Sequence, residues 1–288
     1  MTGEADAVSE PEAHDGYLDP DSVAWKVIGH PVSIVGGLRA LIIQALHPLA
    51  MAGVAQHSDY KHRAVERLRR TAYYVTATVF GDRATADAAA ARVRRIHRSI
   101  RGIDPVTGRA YSADDPDTQL WVHCVEWHSF LAVYRAYVGG LSPEDEDRYI
   151  AEGVRVAPLV GLPAEMVPRT VAEQRAYFAA VRPQLCISEP AREAIEFVLN
   201  PPLTRELLPY QVPVRLVARA ALATVPRDLR RLAGIDRPRI VDATTVAAGR
   251  PAFAMSTLPV LREALSIALG PETRAVTLAA REELDAAA

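Results

Sequence analysis

The chain is poor in the residues that build covalent frameworks. It holds two cysteines, Cys124 and Cys186, far apart and without CxxC spacing, which excludes a disulfide scaffold and a zinc ribbon and fits a reducing cytoplasm. It lacks any run of about 18 uninterrupted apolar residues, the length of a membrane-crossing helix. The nearest such run, residues 34–54, is broken by Arg39, Gln44, His47 and Pro48. No basic stretch followed by an apolar one opens the sequence, so a secretory signal is not expected. Charge of one sign is lacking too. With 33 Lys and Arg against 35 Asp and Glu, a formal charge of -2 and a pI near 6.5, no overall basic field points to nucleic acid. Familiar catalytic signatures are missing as well. There is no GxGxxG after a strand pattern, no Walker A loop, no HExxH and no GxSxG. The Glu-x-x-His pairs of ferritin-type di-iron bundles do not occur.

What is present is apolar bulk arranged with helical spacing. Of the 288 residues, 49% are apolar, enough for a sizeable core. Residues 1–19 are acidic, carry few large apolar side chains and read as a mobile tail; residues 20–288 read as one all-α domain. A helix capped near Asp21-Ser22 ends at Gly29-His30-Pro31. The segment from Ser33 to Ser58 is apolar nearly all round, as a helix buried in a bundle should be, with a kink or break at Pro48. Two helices follow. The first closes at Phe80-Gly81-Asp82, and the second runs alanine-rich from about Thr85 to Arg101-Gly102. Residues 103–118 read as a long polar loop and residues 119–138 as a helix rich in aromatics. Ser142-Pro143-Glu144-Asp145 is a capped helix start. Further helices are expected over 146–159, 172–181, 190–199, 212–224 and 258–268, separated by proline-bearing turns. Convincing period-2 stretches are absent, so β structure should be minor.

The stretch around which the chain is organised is residues 67–102. Arg67, Arg70 and Thr71 stand at i, i+3 and i+4 on its first helix, and Arg94, His97 and Arg101 at i, i+3 and i+7 on its second. Spacing alone leaves two readings. The arginines are a solvated face with His97 one polar residue on it, as charge runs usually are. Alternatively, the two faces line a pocket for something anionic, metallic or both. A haem needs an axial imidazole, an apolar slot and cations for its propionates, and this chain offers all three, with His97 as the axial candidate and Arg94 and Arg101 within a turn of it. His47, directly before Pro48, and His123, on the aromatic helix, are either pocket-lining histidines or satisfied core histidines.

The motifs RLRRT at 67–71, FG at 80–81 and VRRIHRSIRG at 93–102, with LRALIIQALHPLAMAGVAQHSDY, GRAYSADD and LWVHC in order, resemble the MpaB-type oxygenase family. That family includes the latex clearing proteins; the similarity spans residues 25–177 and extends to the bacterial haem b-dependent oxygenase-like branch. The resemblance implies an all-α fold holding haem b, with Arg94 and His97 matching the proximal Arg-x-x-His motif and His97 as iron ligand. Arg67, Arg70 and Thr71 match the distal Arg-x-x-Lys-Thr motif, with arginine in place of lysine. A guanidinium is not an iron ligand, unlike a deprotonated amine, so the resemblance implies an open or water-occupied sixth position with Arg70 as a hydrogen-bond donor. The rubber-cleaving members also use a glutamate upstream of the distal arginine. Between Arg39 and Arg67 the only acids are Asp59 and Glu66, and neither stands at the corresponding place. The expected activity is haem-dependent oxidation of a small apolar organic substrate by O2 or peroxide. A non-catalytic haem or apolar-ligand carrier, or a metal-free bundle whose arginines meet a partner's carboxylates, are the other readings the residues allow.

Overall fold

The computed structural model describes residues 14–202 and 211–286. Among these it contains α1 (Val23–Ile28), α2 (Ser33–Gln44), α3 (Pro48–His57), α4 (Ala64–Phe80) and α5 (Arg83–His97), then a hairpin of β1 (Arg101–Ile103) and β2 (Ala110–Ser112). After the hairpin come α6 (Pro116–Tyr137), α7 (Pro143–Val156) running into a 3-10 turn at Ala157–Val160, α8 (Val171–Val181) and α9 (Glu189–Leu199). The chain continues with α10 (Gln211–Thr224), α11 (Arg227–Ala233), α12 (Arg239–Met255), α13 (Pro259–Leu269) and α14 (Pro271–Ala286). The domain is all-α, as its periodicity predicts. No single helix among the described residues is long and apolar enough to cross a membrane.

α6 is the axis of the domain because its apolar residues occupy nearly its whole circumference. Trp121, Val125, Trp127, Phe130, Leu131, Val133, Tyr134 and Tyr137 are all buried, and each large side chain so removed from water contributes about 1.5–3 kcal/mol. α2 lies along it, α10 packs on α2, and α12 packs on both α10 and α6. The approach of α2 to α6 is set at Gly36, where an added Cβ would lie 2.6 Å from Phe130 Cδ1 and 3.1 Å from its Cα. Arg39, 1% exposed, ties the same helices together: its Nε donates to the Thr224 carbonyl at 3.2 Å, and its Nη1 donates to Ser129 Oγ at 2.7 Å and His128 Nδ1 at 3.2 Å.

The expected break at Pro48 is complete. α2 and α3 meet at 103°, and His47 begins α3 by accepting the Ala50 amide on its Nδ1 at 3.4 Å. α4 and α5 form the predicted hairpin, turned by Asp82, whose Oδ1 accepts the Thr85 amide at 2.7 Å. Three expectations are corrected. The second helix of the hairpin stops at His97, not at Arg101-Gly102, because residues 101–103 pair antiparallel with 110–112, so the segment read as a polar loop carries a small sheet. α11, α12 and α14 were not anticipated as helices; Gly249 and Pro251 inside α12 hide its pattern. Of the tail expected over 1–19, residues 14–19 are instead packed: Leu18 is 0% exposed, Tyr17 Oη donates to Asp87 Oδ1 at 2.8 Å, and Asp19 accepts from Arg155 at 3.0 Å. Residues 1–13 lie outside the described residues.

The contrast between two neighbouring glycines tests this packing. Gly37 has nothing within 4 Å of an added Cβ. Gly37→Ala should therefore raise the folding stability through helix propensity, by about 0.5–1 kcal/mol. Gly36→Ala should lower it by about 1–3 kcal/mol, because the new methyl meets the Phe130 ring and backbone. Thermal denaturation of the two variants side by side reads the difference.

Candidate functional site

The basic faces of α4 and α5 are not equivalent in the structure. On α4, Arg67 is half-buried with its guanidinium 6.0 Å from the Tyr60 ring centre, and burial lowers its pKa. Arg70 and Thr71, one turn on, are exposed, and Arg70 Nη1 lies 3.8 Å from Glu66 Oε1. On α5, Arg94 donates through Nη1 to the Leu159 carbonyl in the 3-10 turn. Arg101 does not share that face, because the helix ends before it; it lies on β1 with Nη2 3.3 Å from Asp114 Oδ2. His97, the last residue of α5, is half-buried, and its Nδ1 is buried without a hydrogen-bond partner among the described residues. Burial lowers its pKa, opposed by the charge of Asp114, so the ring is neutral at pH 7, the form that binds metals.

α6 supplies the opposite wall. Gln119, His123 and Glu126 stand at i, i+4 and i+7, one stripe along the helix. Gln119 Nε2 donates to the Val160 carbonyl at 3.0 Å, while its Oε1 is buried with no hydrogen-bond partner among the described residues. His123 stacks at 31° on Trp127 with ring centres 5.7 Å apart, and burial pushes its pKa down to about 4. Glu126 has no hydrogen bond or ion pair among the described residues, and burial pushes its pKa up to about 7. Tyr74 of α4 joins the two walls electrostatically: burial raises its pKa most, the Glu126 charge raises it further, and Arg94 opposes both. Tyr74, His123 and Glu126 each keep some accessible surface, although burial dominates their ionisation. Groups that are both reachable and desolvated line an interior space rather than the outer surface.

The remaining histidines are engaged elsewhere. His47, 7% exposed, spends Nδ1 on the α3 cap and packs 5.6 Å from Trp121. His57 Nε2 lies 3.1 Å from Tyr111 Oη and 3.2 Å from the Arg101 carbonyl. Among the described residues no group of three or more His, Cys, Asp or Glu side chains converges on a bare ion site. Glu126 is the group that sequence reasoning missed. The signal was there: an acid three residues after a histidine on a helix whose other positions are largely apolar or aromatic.

The described residues thus form a helical domain in which neutral imidazoles and a carboxyl without an ion pair stand on α5 and α6. Residues 25–255 match the family described as ER-bound oxygenase mpaB/B'/rubber oxygenase, catalytic domain, and the chain belongs to that oxygenase family. Its fold is similar to that of latex clearing protein LCP in the closed state, with 18% identity and a TM-score of 0.56 over 93% of this chain and 76% of that one. None of the curated proteins matches the sequence.

The charge states of the pocket predict a pH signature. The folded protein holds the Glu126 proton up to about pH 7, whereas an ordinary glutamate releases it near 4.5. Stability therefore falls as pH rises through this window, and the loss is complete above it. His123 acts at the other end, its contribution being lost as pH falls from 6.5 towards 4. Glu126→Gln should stabilise the protein by about 1–3 kcal/mol at pH 8 and by little at pH 5, measured by urea denaturation at both pH values.

Proposed function

We propose that this chain is a haem b-dependent oxygenase acting with O2 or peroxide on a small apolar organic substrate. The observation that carries the reading is His97. A neutral imidazole at a helix end, with a buried nitrogen that has no partner among the described residues, fits a ligand to a metal that arrives with most of its donors already attached. A bare ion fits poorly, since one histidine does not make a site. His97 would hold the iron, and Arg94, anchored at Leu159 through one nitrogen, keeps donors free for a propionate. Arg67 would form the distal face, and His123 with Trp127 the wall of the slot. Haem b would supply the redox chemistry that dioxygen or peroxide activation requires.

The chain's own contribution is protonic and steric. Glu126, whose pKa burial brings up to about 7, can both hold a proton and release it near neutral pH, which suits a general acid or base. It supplies the carboxyl that the segment between Arg39 and Arg67 does not. Tyr74 stays protonated and donates; His123 stays neutral and accepts. Arg67 brings positive charge to the distal face, and its partial burial strengthens any hydrogen bond it donates there.

Purified protein should show a Soret band and a pyridine haemochrome of the b type, and His97→Ala should lose the haem or its spectrum. Stoichiometric haem with an unchanged spectrum in that variant removes His97 as ligand. Haem bound without oxidation of any chromogenic substrate would favour a carrier. In a turnover assay, Glu126→Gln should lower kcat about 100-fold and abolish the limb of the pH profile near 7, while an unaltered rate and limb would exclude Glu126 from proton transfer.

A further inference from the structure

Where α14 begins against the α4–α5 hairpin, the structure contains a cavity of about 220 Å3. Its walls carry three guanidiniums, Arg69 and Arg70 from α4 and Arg92 from α5, together with the first turn of α14. We propose that this cavity is a binding site for a phosphate group, free or as a monoester, independent of the haem reading.

The charge balance favours an anion. Two carboxylates, Glu66 and Glu272, also line the cavity, but Glu66 is already engaged by Arg63 at 2.6 Å. Arg69 is positioned rather than spent: its Nε donates to the Ala268 carbonyl at 3.1 Å, and its stem packs 3.2 Å from where a Gly270 Cβ would stand. That contact and the φ of +102° at Gly270 bring the α13–α14 junction against the arginines. Arg92 has no ion-pair partner among the described residues.

The helix end contributes donors of its own. α14 spans Pro271–Ala286, and its first return bond runs from the Arg274 amide to the Gly270 carbonyl at 3.0 Å. The amides of Glu272 and Thr273 precede that bond, so no turn of the helix supplies them with an acceptor. The second, independent feature is Thr273. It is 3% exposed and lines the cavity, yet its Oγ1 is buried with no hydrogen-bond partner among the described residues. A buried hydroxyl left unpaired costs about 1–3 kcal/mol, and a ligand oxygen would relieve it. Amides at a helix start, a hydroxyl and guanidiniums from two other helices approach from several sides, which suits a tetrahedral oxyanion with several acceptor oxygens better than a planar carboxylate.

The test is titration of the purified full chain with inorganic phosphate by isothermal calorimetry at fixed ionic strength, repeated with a simple phosphate monoester and with acetate. Saturable binding is expected for both phosphates, with acetate at least 10-fold weaker. Arg92→Gln and Thr273→Val should each weaken phosphate about 10-fold, and Thr273→Ser should restore it. Tighter binding of the monoester than of free phosphate would identify an organic phosphate as the occupant, and the reverse would identify the free ion. Thermal shifts with phosphate, read on Arg92→Gln, keep the test valid if Thr273→Val folds poorly, because Arg92 is exposed. Absence of saturable phosphate binding, equal affinity for acetate, or binding indifferent to both substitutions would overturn the proposal. A normal haem spectrum in these variants would show that the proximal site is untouched.

Discussion

Desolvation without a compensating charge is the constraint on which the candidate site depends. Burial of Tyr74, His97, His123 and Glu126 on the α4–α5 hairpin and α6 makes separated charges there costly. Their ionisation shifts towards the neutral forms: imidazoles without their second proton, a phenol with its own, and a carboxyl that gives up its proton only near pH 7. Only arginine resists, and Arg39 shows at what cost. Burial brings its pKa down to about 9, and it remains charged at neutral pH because a carbonyl, a hydroxyl and an imidazole nitrogen share its donors. The same rule that makes the pocket neutral makes it reactive, since a group poised between its two protonation states exchanges a proton at low cost.

The fold could be read from the sequence wherever the determinants were local. The stop at Phe80-Gly81-Asp82, the proline after His47 and the Ser142-Pro143 start each act within a turn, and the helix boundaries they set lie where expected. Arg101 illustrates the limit. Its spacing from Arg94 and His97 is that of a helix, but pairing of Gly102 with Tyr111 overrides it, and nothing in a window of one helix reports a partner nine residues away. α12 illustrates the converse. Gly249 reads as a helix breaker, yet it is where α12 comes closest to α6, an added Cβ falling 2.7 Å from the Tyr137 ring.

The site itself was only partly legible. The hairpin and its residues Arg67, Arg70, Thr71, Arg94 and His97 stood out through motif and resemblance. Their degree of burial did not: Arg67 and His97 are half-buried while Arg70 and Thr71 are exposed. Glu126 was invisible because its character comes from what surrounds it in space. One acid among apolar neighbours reads as a surface position until the other wall is in place.

The 3-10 turn at Ala157–Val160 has a mechanical consequence. Its carbonyls at 159 and 160 accept from Arg94 on one wall of the pocket and from Gln119 on the other. Adjacent peptides of a single short segment thus gauge the gap between α5 and α6, like the jaws of a caliper fixed to one bar. Any displacement of that segment moves both jaws together, so the width of the slot is decided by a piece of backbone that contributes no side chain to its chemistry.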